Sequence, residues 1–335
     1  MAHRNNILGL ELAVVLIGLL AMSQPSMQLS MKHPFYDVIR RINEDGSFFG
    51  LVLVSDSNEK ALLDSNLFVP TTEHTPTIVL AGRTFHIGSI KGANVVYVKS
   101  GEGIINAAAT VQFLIDTFGV HGIVHFGSAG AVDDSLSIGD VVLVGQVAYT
   151  GSLKWKSFET EKGQLKFGSY NYPEEGENLL GSLDFQPSTL YTPSGKKKTV
   201  FWLPLDNSTW FSKASEMQNL EFEQCLDTTK CLPRAPVLVP SLKASTADLY
   251  LTNVAFREFV HDKFKVSIVD KETAAIVLVA ITNEKPIIVF RGVSNTAGGS
   301  TAYKSYYYLA SINAFKAAAA FIGTLSSETP SRATY

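Results

Sequence analysis

Short runs of consecutive apolar residues alternate with longer helical patterns along most of this chain. The run at 47–54 is typical of a strand that is buried on both faces, because it shows no polar alternation. Similar runs lie at 77–80, 84–90, 94–99, 122–126, 140–149, 235–239, 266–269 and 286–293. Helical patterns lie at 104–117, 249–263, 272–283 and 303–325. This alternation predicts an α/β fold around a largely parallel or mixed sheet.

Two parts of the chain do not follow the alternation. Residues 24–46 are polar or mixed, and they predict a lead-in segment with a helix near 35–42. Residues from about 151 to 235 show no sustained periodicity, but the strand pattern resumes after them. We therefore interpret 47–326 as one domain with a variable insertion, followed by a C-terminal tail at 327–335.

The composition excludes several classes of function. The 335 residues include 28 Lys and Arg against 31 Asp and Glu, which gives a formal net charge of −3. No basic excess is left to neutralise phosphates, so we expect no nucleic-acid binding. Two cysteines are too few for a disulfide scaffold or a multi-cysteine zinc module. We expect neither a metal nor a cofactor.

The first residues carry the pattern of a secretory signal. A basic start at Arg4 precedes an apolar stretch that Glu11 interrupts, and the uninterrupted part at 12–22 is too short to span a bilayer. We predict a cleaved signal peptide at 1–23; the alternatives are a buried helix and a signal anchor. The Ala-rich stretch 317–322 is also too short to span, so we expect no membrane segment after cleavage. The secretory pathway then leads to a vacuole or to the extracellular space.

Two features of the insertion fit that compartment. Asn207-Ser208-Thr209 is an N-glycosylation sequon in a polar region. Cys225 and Cys231 lie six positions apart. In an oxidising compartment this pair forms a small-loop disulfide, and otherwise it is two unpaired thiols.

Three segments rich in glycine or small polar residues follow predicted strands, at 55–59, 100–103 and 125–130. Ligands of α/β proteins bind at the carboxyl ends of strands, and glycine there lets the backbone approach them closely. Each segment alone is a common structural feature. Together they predict a ligand site.

The order and content of these segments resemble the nucleoside phosphorylase/nucleosidase superfamily. Three blocks carry the resemblance: SGEGIINAAATVQFLI at 100–115, GIVHFGSAGAVDDSLSIGDVVLV at 122–144 and IVDKETAAIVLVAITNEKPIIVFRGVSNTAGG at 268–299. Within the superfamily, the chain looks closest to the secreted plant branch, the bark or vegetative storage proteins. The resemblance implies a three-layer α/β/α fold with a central twisted mixed sheet, and a homo-oligomer.

The resemblance also implies a cavity for a purine nucleoside or base, with phosphate as a further candidate ligand. Glu272 matches a glutamate that binds the ribose hydroxyls, although a helix N-terminus would favour a carboxylate there equally well. Tyr250 falls where an aromatic residue stacks on the base, or else it is a core-facing helix residue. Lys271 stands where the family often has a methionine under the sugar. The loop beside the ribosyl group corresponds to Ser128, Ala129 and Gly130.

The chain departs from the family where acid–base chemistry is needed. Asn295 stands at the position of an aspartate that serves the purine N7, and an amide has no acidic proton to give. Asn58 stands at the position of the glutamate that activates the nucleophile, and a one-residue slip would bring Glu59 there instead. Phosphate would need a cation, for which Arg83 and Arg291 are the candidates.

These substitutions favour a non-catalytic storage protein, a nitrogen reserve on a nucleoside phosphorylase-like scaffold. Two alternatives stay open. One is an active nucleosidase or phosphorylase that cleaves the N-glycosidic bond of purine or cytokinin ribosides. The other is a nucleoside-binding protein without catalysis.

Overall fold

The structure is a computed structural model that describes residues 31–45, 47–73, 75–155, 183–192, 194–298 and 306–326. The helices are α1 Tyr36–Asp45, α2 Asp56–Asp64, α3 Ile104–Phe118, α4 Thr209–Ser215, α5 Val254–Phe264, α6 Thr273–Thr282 and α7 Tyr307–Ser326. The strands are β1 Phe49–Leu53, β2 Phe68–Pro70, β3 Thr77–Leu80, β4 Arg83–Ile90, β5 Ala93–Lys99, β6 Ile123–Ala131, β7 Val141–Tyr149, β8 Leu153–Trp155, β9 Leu183–Phe185, β10 Ser188–Tyr191, β11 Lys197–Val200, β12 Leu203–Pro204, β13 Leu238–Thr246, β14 Ile268–Asp270 and β15 Ile287–Thr296.

A mixed central sheet with helices on both faces confirms the three-layer α/β/α prediction. The strands β1, β5 and β6 pair in parallel, whereas β4 runs antiparallel to β5. One face of the sheet packs on α1, α3 and α6, with buried side chains that include Ile39, Leu114 and Ile276. The other face packs on α2, α4 and α7, with side chains that include Leu62, Trp210 and Phe315. The apolar runs of the sequence are buried between these layers.

Part of the sheet closes on itself. Strand β6 pairs with β15, β15 with β7, β7 with β13, β13 with β14, and β14 again with β6. This ring brings the last residues of β6, β14 and β15 to one place, although they lie far apart in sequence. The register of β15 on β6 shifts between Val293 and Asn295. Such a bulge turns a side chain to a new direction, and here it lies beside the cavity described below.

Several predicted boundaries are wrong, each for a local reason. Residues 55–59 are not a loop, because Ser55 caps a helix that begins at Asp56. The segment 127–130 is not a loop either, because it is strand paired with β15. The strand predicted at 235–239 is β13, which runs to Thr246 through polar residues that carry no apolar signal.

In the described residues 183–192 and 194–235, the predicted insertion is more ordered than its lack of periodicity suggests. Strand β12 pairs with β7 at the edge of the central sheet, and Trp210 and Phe211 of α4 are buried in the core. Cys225 and Cys231 are joined by a disulfide. The adjoining segment is held by Asn313 of α7, a fully buried amide that accepts from the Glu223 N–H (2.7 Å) and donates to the carbonyls of Glu223 and Gly139 (3.0 Å each).

Helix α7 is long and apolar enough to cross a membrane by length and composition alone. The Ala-rich stretch at 317–322 is only part of this helix. Of the 18-residue apolar stretch that is long enough to span, 67% is buried inside the protein, where α7 packs against β15 and β6. We therefore interpret α7 as a core helix.

We predict that Asn313→Ala lowers the free energy of unfolding by roughly 2–4 kcal/mol, because the buried Gly139 carbonyl and the partly buried backbone groups of Glu223 lose their partner. Chemical denaturation with the disulfide intact measures this. Lys316→Ala is the matched control, since it touches the same segment from the surface and should cost less than about 1 kcal/mol. Equal losses in the two variants would contradict the prediction.

Candidate functional site

A cavity of about 410 Å³ opens where β1, β5, β6, β14 and β15 end. Nine of the residues singled out in the sequence line it: Asn58, Ser128, Ala129, Gly130, Tyr250, Lys271, Glu272, Arg291 and Asn295. They come from segments up to 237 positions apart, from Asn58 to Asn295, and the closed part of the sheet brings them together. Glu59 and Arg83 are not among the residues that line the cavity.

Asn58 is a structural amide at the start of α2. Its Oδ1 accepts from the backbone N–H of Ser55 at 3.1 Å and of Val54 at 3.3 Å, and its Nδ2 donates to Ser311 Oγ at 2.8 Å. The side chain of Ser55 in turn accepts from the Asn58 N–H, which completes a capping box. The cap engages the oxygen of this amide and Ser311 engages its nitrogen, and an amide is not a base as a carboxylate is.

Glu59 does not take the place of Asn58. Successive residues of a helix point about 100° apart, so the side chain after Asn58 leaves the cavity. The Glu59 carboxylate accepts from Lys99 Nζ at 2.6 Å instead, and it lies 3.9 Å from His86 Nε2. The slip considered in the sequence analysis is thus excluded by the cap that fixes the start of α2.

The deepest part of the cavity is built around the guanidinium of Arg291, whose side chain is only 2% exposed. Its Nε lies 3.2 Å from Asp270 Oδ2, its Nη2 lies 3.4 Å from Glu272 Oε2, and its Nη1 donates to His125 Nε2 at 2.9 Å. We call Arg291, Asp270, Glu272 and His125 the buried cluster. Two carboxylates compensate one cation there, as a buried charge requires.

His125 is the neutral member of the buried cluster. Complete burial and the nearby Arg291 cation lower the pKa of its imidazole to about 3. Because Arg291 can only donate, His125 Nε2 must accept, and the ring proton is assigned to Nδ1, which donates to the Val52 carbonyl at 2.9 Å. The ring therefore orients the guanidinium without adding charge.

Asp270, not Glu272, caps helix α6. Asp270 Oδ1 accepts from the backbone N–H groups of Glu272 at 3.1 Å and Thr273 at 3.0 Å, whereas the Glu272 side chain makes no cap bond to its own helix. The helix N-terminus therefore does not explain the Glu272 carboxylate. Its Oε1 accepts from the Gly103 N–H at 3.0 Å, and the carboxylate lines the cavity. Burial raises the pKa of Glu272, Arg291 opposes that shift, and the Asp270 charge adds to it.

Asn295 lies beside a hydroxyl that can bond to its amide. Ser294 Oγ is 2.8 Å from Asn295 Oδ1 and 3.1 Å from the Ala129 carbonyl, and its one proton is assigned to the nearer acceptor, Asn295 Oδ1. The amide nitrogen then remains as the donor on the cavity side, where Asn295 lies across from Gly130. This arrangement offers a hydrogen bond to an acceptor of a bound ligand, but no acidic proton.

Three side chains meet at the mouth of the cavity, and we call Glu102, Tyr250 and Lys271 the clasp. Lys271 Nζ lies 2.9 Å from Glu102 Oε2 and 4.3 Å from the centroid of the Tyr250 ring. Tyr250 Oη donates to the same carboxylate oxygen at 2.7 Å. Tyr250 is 68% exposed and precedes α5, so the core-facing alternative for this residue is wrong.

Neither arginine proposed for phosphate is available for it. Arg83 donates to Thr110 Oγ1 and to the Ala81 carbonyl, away from the cavity. Arg291 lines the cavity, but its nitrogens face the rest of the buried cluster. The other cation that lines it is Lys271, which is paired in the clasp.

Sequence reasoning assigned no role to His125, Asp270 or Glu102. His125 and Asp270 stand inside the quoted blocks, and a titratable residue in or directly after a predicted buried strand was the available signal. Glu102 stands in the second glycine segment. Its role depends on the contact with Lys271, which the sequence does not show. Among the described residues, no group of three or more His, Cys, Asp or Glu is arranged to hold a metal ion.

The closed mixed sheet and this cavity define a nucleoside phosphorylase-like α/β protein. The profile of the phosphorylase superfamily matches residues 49–323, and the chain belongs to that superfamily. It is 41% identical over 307 residues to bark storage protein B of Populus deltoides, a match that covers 91% of this chain and 97% of the relative. Bark storage protein A of the same species matches with the same identity and coverage.

More distant relatives are bacterial nucleosidases. The 5′-methylthioadenosine/S-adenosylhomocysteine nucleosidase of Colwellia psychrerythraea is 26% identical over 82% of this chain and 96% of the relative. Its crystal structure in complex with adenine superposes with a TM-score of 0.57 over 83% of this chain and 96% of that one, at 23% identity. The S. pneumoniae nucleosidase with a transition-state inhibitor gives a TM-score of 0.58 over 83% and 99%, also at 23% identity. These structures establish the fold.

We predict that Glu272→Gln costs more stability at pH 4 than at pH 7. The pKa of Glu272 is raised above its ordinary value of 4.5, so the folded protein binds this proton more readily than the unfolded chain. The stability that this proton contributes is fully present below the ordinary pKa and is lost as pH rises through the raised one. The glutamine variant lacks it at every pH.

Urea denaturation of both proteins from pH 4 to 7.5 measures the difference. Glu73→Gln, at an exposed position, is the control and should show no such trend. A deficit of Glu272→Gln that grew with rising pH would contradict the prediction.

Proposed function

We propose that this chain is a storage-type protein that keeps the purine-binding cavity of its superfamily without the acid–base chemistry. The observation that carries the proposal is the amide of Asn295, which Ser294 holds as a donor at the place where an acid is needed. The 41% identity to two bark storage proteins over nearly their whole length supports the storage function.

Cleavage of an N-glycosidic bond needs help at both ends. The leaving purine must be protonated or strongly hydrogen-bonded, and the attacking water must be activated. Asn295 can only hydrogen-bond, and the loss of a general acid is worth roughly 10²–10⁴ in rate. At the other end, the amide of Asn58 is engaged by the cap of α2 and by Ser311. Both ends therefore lack the group that would act.

Binding makes different demands, which the cavity meets. The Glu272 carboxylate can accept from two vicinal ribose hydroxyls, and Asn295 Nδ2 can donate to a purine N7. The adenine complex of the Colwellia nucleosidase, on the same fold, supports a purine base or nucleoside as the ligand class. A weakly active nucleosidase is the competing function, and the assay below separates the two.

Location and assembly are part of the proposal. The expected signal peptide at 1–23 lies outside the described residues. The exposed sequon at Asn207 and the Cys225–Cys231 disulfide support entry into the secretory pathway, and a storage role favours a vacuole. A homo-oligomer is expected from the superfamily resemblance, and light scattering of the purified protein tests it.

We expect the purified mature protein to release no free base from adenosine, inosine, methylthioadenosine or isopentenyladenosine. Turnover within the usual enzyme range of about 1–10³ per second would contradict the storage proposal. Chromatography of the reaction mixture for free purine measures this. The substrate concentration is set above the dissociation constant that calorimetry gives for the same ligand.

We predict that Asn295→Asp, alone or with Asn58→Glu, raises base release by about 10²–10⁴ over the wild type, because it returns a group that can protonate N7. Asn66→Asp, an exposed position outside the cavity, is the matched control and should change nothing. If the wild type were active and Asn295→Asp were no faster, the assignment of Asn295 would be wrong.

We further predict that phosphate does not accelerate base release by the Asn295→Asp variant. The cations that line the cavity are Arg291 and Lys271, and both are paired with carboxylates. Rates of base release with and without phosphate, at constant ionic strength, test this. About 50 mM phosphate is enough, because ordinary enzyme sites are saturated well below that concentration. A phosphate-dependent rate with ribose 1-phosphate as product would contradict it.

A further inference from the structure

The clasp is the part of the cavity that the proposed function does not use. It joins the segments after β5, β13 and β14 through one carboxylate, since both Lys271 Nζ and Tyr250 Oη approach Glu102 Oε2. It is also the outer layer of the site. The Glu102 side chain is 52% exposed, whereas that of Glu272 is 6% exposed.

The position of the clasp determines which part of a ligand it meets. This step rests on the proposed function. A nucleoside that places its vicinal hydroxyls on Glu272 and its base at Asn295 uses the C1′, C2′ and C3′ side of the ribose. In this orientation we place the C5′ substituent on the other side of the ring, toward the mouth, where Lys271 and Glu102 line the cavity.

A polar and an apolar C5′ substituent fare differently against an ion pair. A hydroxyl can donate to the free lone pairs of Glu102 and can accept from Lys271. It therefore reproduces the hydrogen bonds of the water that it displaces. An alkylthio group covers both charges and returns no strong hydrogen bond, which leaves them desolvated. We propose that the clasp makes this cavity selective for nucleosides with a free 5′-hydroxyl over 5′-alkylthio nucleosides.

One residue controls this polarity. Lys271 both pairs with Glu102 and covers the face of the Tyr250 ring. A methionine at position 271 would remove the charge, free the ring face and offer a polarisable thioether as a neighbour for an alkylthio group. Selectivity should therefore reverse with a single substitution at a partly exposed position, where the side chain is 21% exposed.

The test is isothermal titration of adenine, adenosine and 5′-methylthioadenosine into the wild type and into Lys271→Met. Adenine reports on the base end alone. We expect the wild type to bind adenosine about tenfold or more tightly than methylthioadenosine. Lys271→Met should abolish or invert that ratio. Its adenine affinity, measured beside the two nucleosides, separates any effect of the freed Tyr250 ring on the base from the effect on the C5′ substituent. The double variant Glu102→Leu/Lys271→Met, which removes both charges, should invert the ratio further.

The chain contains its own control. Lys60, Asp64 and Tyr308 form the same arrangement outside the cavity: Lys60 pairs with Asp64, Tyr308 donates to Asp64, and Lys60 Nζ lies 5.1 Å from the Tyr308 ring centroid. Lys60→Met therefore removes an equivalent lysine from a similar arrangement that does not line the cavity. It should keep the wild-type ratio.

Two results would overturn the selectivity. The first is equal wild-type affinity for adenosine and methylthioadenosine. The second is an unchanged ratio in Lys271→Met. In both cases, retained adenine binding would leave the proposed binding function standing. Failure of all three ligands to bind the wild type would overturn the binding function and the selectivity together.

Discussion

The rest of this structure depends on the burial of the Arg291 guanidinium. A buried cation needs partners on every side, and each partner comes from a different element: His125 from β6, Asp270 from β14 and Glu272 from the start of α6. The glycine at position 127 also makes room for the guanidinium, since a Cβ at Gly127 would lie 2.5 Å from Arg291 Nη1. The same contacts that close the sheet therefore place the Glu272 carboxylate in the cavity. Losing one partner would leave an uncompensated charge in the core.

Under the proposed function, this coupling explains why a cavity persists where catalysis does not. The groups at its base also support the fold, because Asp270 caps α6 while it pairs with Arg291. Asn58 and Asn295 carry no such charge. An amide at either position keeps the local hydrogen bonds, with the α2 cap on one side and the Ser294 hydroxyl on the other. Chemistry can thus be lost at those two positions at little cost to the fold.

The sequence predicted the layers well and the site only in part, for identifiable reasons. Continuous apolar runs such as those of β1 and β15 mark buried strands regardless of what surrounds them. The second half of β13 was not predicted as strand because it is largely polar. Helix α2 was not predicted because its start depends on a cap between Ser55 and Asn58. Resemblance led to Glu272, Tyr250 and Lys271, but not to Glu102, which joins the last two in the clasp. A contact between Glu102 and Lys271, 169 positions apart, is a property of the fold and has no local signal.

The cavity is therefore layered in what constrains it. Its base is fixed by the energetics of a buried charge, and its middle by hydrogen bonds that accept either an amide or an acid. Its mouth is exposed, where an ion pair contributes at most about 1 kcal/mol to stability. Substitutions at Glu102, Tyr250 or Lys271 are the least costly to the fold and yet act directly on whatever enters. Selectivity can consequently change at the mouth while the base, and with it the ability to hold a purine nucleoside, stays the same. A protein that has lost catalysis, as the proposed function holds, would be expected to differ from its enzymatic relatives first in this layer, and the resemblance implies that the charge of Lys271 is a difference of that kind.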